Sequence, residues 1–91
     1  MTIAAIATKL NIPKATIEKE SVRDFLERRL LTVETELFLL ANKYGVRSIG
    51  ELDNKIKKGF IHETSESRED FFKFDSLEAK RDTLYQLIKS S

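Results

Sequence analysis

The chain has no cysteine, a single histidine, one proline and three glycines in 91 residues. Without cysteine there is no disulfide framework, no thiolate zinc site and no cysteine nucleophile, and the composition fits a reducing compartment. His62 stands alone beside Glu63, so no pair of histidines is available for a metal or a proton relay, and a loop histidine is expected to be solvated. The sequence also has no glycine-rich phosphate loop and no G-x-S-x-G elbow, and nothing places two carboxylates in one secluded pocket. These absences predict a protein that is not an enzyme and carries no cofactor or metal. No apolar run approaches the ~20 residues that span a bilayer. The start MTIAAIATKL puts its lysine after the apolar residues, the reverse of a signal peptide, so a cytoplasmic protein without a membrane partner is expected. Neither sign of charge dominates: 16 Lys and Arg face 15 Asp and Glu, a net +1. That balance supplies no general attraction to nucleic acid.

What the chain does have is a long apolar rhythm. In Ser21 to Tyr44, Leu26, Leu30, Val33, Leu37, Leu40 and Tyr44 alternate at spacings of four and three, the pattern that keeps one seam of a helix against a partner helix. Leu31, Phe38 and Leu39 lie beside that seam and add apolar surface that one neighbouring helix cannot cover. A second seam, Phe74, Leu77, Leu84 and Ile88, is broadened by Phe71, Phe72, Tyr85 and Leu87. Two helices of similar length joined by a compact link predict an antiparallel hairpin.

The remaining elements follow from caps and breakers. Thr2 caps a short helix over Ile3 to Leu10, and Asn11 stops it. Pro13 suits the first position of the next helix, which meets no glycine or proline before Gly45. Glu18 to Ser21 interrupts the apolar pattern, and Ser21 with Asp24 offers a fresh cap, so both a continuous helix and a bend are open there. Ser48-Ile49-Gly50-Glu51 matches a capping box and predicts a helix from Ile49 to about Lys58, ended by Gly59 and read as a thin lid over the core. The last helix is expected to start close to Ser67 and run to about Lys89.

The fold class predicted is therefore all-α: one domain over residues 1–91, with a helix-turn-helix-like segment at 1–20 and a helical hairpin over 21–91. A chain this short buries only ~60 to 65% of its unfolded surface. Two hairpins joining apolar faces as a four-helix bundle are expected, giving a homodimer that covers Leu31, Phe38 and Leu39.

Two surfaces are candidates for function. Ile3 to Val22 resembles a helix-turn-helix, with Ala7 at the helix contact, Leu10 and Ile12 flanking the turn and Ile17 anchoring the second helix. In that reading Lys9, Lys14, Thr16 and Lys19 face DNA. The alternative is a plain helical hairpin. Phe71, Phe72 and Phe74, with Leu31 and Phe38, form the other candidate, a contact surface for a partner protein. The acidic neighbours Glu69, Asp70 and Asp75 disfavour base stacking there.

The order of a short helix ending in IP, the SVRDFLERRLLTVETELFLLANKYGVRSIGELDNKIKKG stretch and the REDFFKFDSLEA segment resembles small archaeal proteins of toxin-antitoxin type. The resemblance implies an antitoxin-like helical protein that masks a toxin encoded nearby and represses its own operon.

Overall fold

The computed structural model describes residues 1–91 and contains four helices: α1 (Ile3–Leu10), α2 (Lys14–Tyr44), α3 (Ile49–Lys57) and α4 (Ser65–Ser90). The all-α hairpin predicted from the two seams is present. Lys43, near the end of α2, bonds to Glu66 and Asp70 near the start of α4. At the other end, Phe25 and Arg29 share a groove with Lys80 and Leu84, so α2 and α4 run antiparallel. No helix is long and apolar enough to cross a membrane.

Local chemistry accounts for each boundary. The Thr2 hydroxyl accepts the Ala5 N–H at 3.1 Å, and Asn11 closes α1 in the left-handed conformation at φ 55°. Pro13 stands one residue earlier than expected, as the cap itself with ψ 136°, so the first helical residue is Lys14. α2 then passes through Glu18 to Ser21 unbroken. Most residues there are good helix formers, and i,i+4 pairs flank the stretch, Lys14–Glu18 before it and Arg23–Glu27 and Asp24–Arg28 after it. Ser21 therefore caps nothing. Gly45 ends α2 at φ 65°, where a side chain would be strained, and the Val46 N–H returns to the Ala41 carbonyl at 2.9 Å. The turn delivers Val46 into the core at 4% exposure, the apolar contact that accompanies such a helix stop.

α4 starts two residues before the predicted point. Thr64 is the cap, and Ser67 is the third helical residue and reciprocates the bond to the Thr64 N–H at 2.8 Å. Ser67 is buried, and its hydroxyl donates to the His62 carbonyl at 2.9 Å, which pins the connection to the helix. The His62 side chain is exposed.

The core is one cluster: Val33, Leu37 and Leu40 from α2, Phe74 and Leu77 from α4, and Val46 and Leu52 from the connection. Leu52 is fully buried, and Ile49 and Ile56 pack on the same cluster. The helix expected to be a thin lid is thus a third wall of the core. Its position is fixed at one end by Glu78 of α4, whose carboxylate accepts the Ile49 N–H at 3.2 Å and favours the positive end of the helix dipole. The Lys55 ammonium fixes it to the end of α2 by donating to the Gly45 carbonyl at 2.9 Å.

α1 packs on α2, with Ala7 buried at the contact while Ile3 and Leu10 are 38% and 62% exposed. Asp70 sits beside Tyr44, so at equal helical rise Ser90 comes level with roughly Glu20 to Asp24. α1 and the first turns of α2 consequently project past the end of α4, and the molecule is 62 Å long but 23 by 16 Å across.

Candidate protein-interaction surface

The two long helices are joined near the α3 end by a polar clasp. Asp70, half-buried on α4, accepts from the Lys43 ammonium at 2.7 Å and from the Tyr44 hydroxyl, and Lys43 also donates to Glu66. The Lys43 bond, followed by the Tyr44 bond, holds the Asp70 carboxyl below the usual carboxylate range. Burial, followed by the bond to Asp70, pushes the Tyr44 hydroxyl up to about 12. The Lys43 ammonium is raised by its bonds to Asp70 and Glu66. None of the three surface grooves is lined by Lys43, Tyr44 or Asp70. Their bonds tie the end of α2 to the start of α4.

The clasp predicts the pH dependence of folding. Asp70 is lowered in the folded chain, so its contribution is complete above about pH 4, where an unfolded aspartate is ionised, and is lost as pH falls through the folded value. Tyr44 is raised, so its contribution is complete below about pH 10 and is lost between there and about pH 12. Urea midpoints followed from pH 2 to 12 should fall at both ends. Asp70→Asn should flatten the acid limb and Tyr44→Phe the alkaline one, and limbs unchanged in those variants would show that the clasp contributes nothing.

The partner-contact residues predicted from sequence do not form one surface. Phe74 is 1% exposed in the core and unavailable to a partner in this fold, because it occupies the seam of α4. Phe71 is half-buried against the same cluster. Phe72 is 68% exposed, and its ring meets Phe71 edge-on at 5.7 Å and 84°. Phe71 and Phe72 border a cleft of about 200 Å³ with Ile56, Asp53, Glu63 and Arg68. Phe60, in the connection ahead of α4 and outside the predicted contact residues, is 76% exposed. Its exposure could not be read from its place after Gly59, because Val46 and Ile61 also lie outside either seam and pack in or on the core. Leu31 is 68% exposed on the flank of α2 turned away from α4, whereas Phe38, 63% exposed, borders a groove that it shares with Glu78 and Tyr85 of α4.

The residues proposed for DNA contact are all exposed: Lys9 on α1, and Lys14, Thr16 and Lys19 on α2. On a continuous helix, Lys14 and Lys19 project about 140° apart. Lys14 is moreover engaged with Glu18 at 3.8 Å. The four do not make a single cationic face. No group of three or more His, Cys, Asp or Glu side chains is placed to hold a metal ion.

The model of the Uncharacterized protein MJ0235 family matches residues 1–90. The chain belongs to that family. The match takes in all four helices and so describes the whole hairpin rather than one segment of it. The family description assigns no activity. No curated protein matches the chain, and no solved structure does.

Proposed function

We propose that the protein is a non-enzymatic protein-binding module, an antitoxin-like helical protein that neutralises a partner by docking it at the α3–α4 end of the hairpin. The observation that carries this reading is Phe72. A large aromatic ring stands 68% exposed on a rigid helix, braced by Phe71 and set beside an apolar cleft. Aromatic anchors of this kind supply contact area at little entropic cost and dominate the energetics of interfaces. Asp53, Glu63 and Arg68 around the cleft provide the polar rim. The scatter of Lys14 and Lys19, about 140° apart on α2 with Lys14 paired to Glu18, supports partner binding over DNA reading, because a helix in a groove presents its contact residues on one side.

The test is co-expression of the full chain with the product of the adjacent reading frame. Co-purification and relief of that product's toxicity are expected. Phe72→Ala should weaken the complex about 30-fold, the equivalent of a ~2 kcal/mol hot spot, while circular dichroism stays unchanged. A neighbour that neither binds nor is relieved of toxicity removes the antitoxin reading.

A further inference from the structure

The molecule exposes far more surface than its mass requires. Its accessible area is 6959 Å², whereas a compact monomer of 10.5 kDa exposes about 5,400 Å². The radius of gyration is 19.2 Å, against roughly 12 Å for a globular domain of this length. Part of the excess of about 1,500 Å² per chain belongs to the projecting α1 end, and the remainder leaves room for the ~800 Å² per partner that a standard stable interface buries.

The flank of α2 turned away from α4 identifies where that surface is covered. At 3.6 residues per turn, Leu31, Thr35 and Leu39 form one i±4 ridge opposite the core seam, with Phe38 alongside. Leu31 and Leu39 are 68% and 62% exposed, and the ridge carries no charge between them. Glu34 and Glu36, the nearest acids, turn into the grooves on either side of the helix. The hydroxyls of Thr35 and Thr32 donate back to the carbonyls of Leu31 and Arg28 at 2.8 and 3.2 Å. With their donors spent on their own helix, these threonines can meet an apolar neighbour without an unpaired proton.

We propose that a second copy of this chain covers this ridge, the two α2 helices pairing antiparallel about a two-fold axis through Thr35. The ridge is symmetric about Thr35, so the operation that sets Thr35 against its own copy sets Leu31 against Leu39 twice over, as a self-complementary interface requires. A small side chain on the axis flanked by two leucines lets the ridges approach to the 8–10 Å spacing of packed helices. This assignment does not rest on the partner-binding reading. It leaves Phe72 and its cleft, on α4, outside the self-association surface.

The absence of native cysteine makes the axis directly testable. In full-length Thr35→Cys the two thiols of a dimer fall within disulfide reach, so mild oxidation at micromolar protein should cross-link most of the chain. Thr83→Cys, on the exposed side of α4, should remain uncross-linked. In sedimentation equilibrium the unmodified chain should be a dimer, and Leu31→Glu with Leu39→Glu should weaken association at least 100-fold. Both positions are already exposed, so the helical spectrum of that variant should persist. A monomer for the unmodified chain at tens of micromolar overturns the proposal. So does a dimer that survives the two glutamates or cross-links through position 83 instead of 35.

Discussion

Phe74→Ala should destabilise the chain by about 3–5 kcal/mol, the cost of emptying a buried aromatic site. The ring is 1% exposed and meets residues from both long helices and the connection in a single cluster. A domain of this length holds roughly 5–14 kcal/mol in total, so the variant loses a large fraction of its stability. The core has no second layer to collapse into the space: only nine of the 91 residues are buried. Urea unfolding monitored by circular dichroism at a fixed protein concentration measures the loss, the concentration being held because association would shift the midpoint. Phe72→Ala in the same experiment should stay within about 0.5 kcal/mol, as exposed substitutions do. Equal losses at the two positions would mean that α4 is rotated from the orientation described.

Leu52→Ala should cost about 2–5 kcal/mol, although α3 is only nine residues long and its apolar stripe is narrow. Leu52 is fully buried, and the Ile49–Glu78 and Lys55–Gly45 bonds hold α3 too firmly for it to fall into the vacated volume. Thermal melts or urea midpoints resolve an effect of this size. A loss below about 1 kcal/mol would show α3 to be a loosely attached cover after all.

These two positions mark the limit of what the sequence made legible. The seam of α2 could be read in advance because every member, from Leu26 to Tyr44, recurs at helical spacing, and all of them lie on the buried or half-buried side. Phe74 belongs to an equally regular seam, yet its nearness to Phe71 and Phe72 invited treating the three as one aromatic patch. Successive helical residues turn by about 100°, which puts Phe72 about 160° from Phe74 and on the opposite side of α4. The burial of Leu52 is hidden from the sequence for a different reason. Its burial depends on the turn at Gly45 bringing α3 against α4, and no local pattern records that return. The unbroken path through Glu18 to Ser21 was likewise open, since a serine that can cap is indistinguishable from one that sits on a helix until its neighbours are seen to pair.

The placement of α3 between the two long helices also sets the order in which the fold can assemble on the ribosome. The seam of α2 is complete once Tyr44 is made, but Phe74 follows about thirty residues later, roughly 1.5–6 s at 5–20 residues per second. For that interval α2 carries an apolar stripe with no α4 to shield it. Val46 and Leu52 arrive within the first eight residues or so after Tyr44 and join the same cluster as Leu37 and Leu40. Val46 and Leu52 are therefore the first apolar partners available to the Leu37–Leu40 end of the nascent seam, ahead of Phe74 and Leu77 of its permanent neighbour.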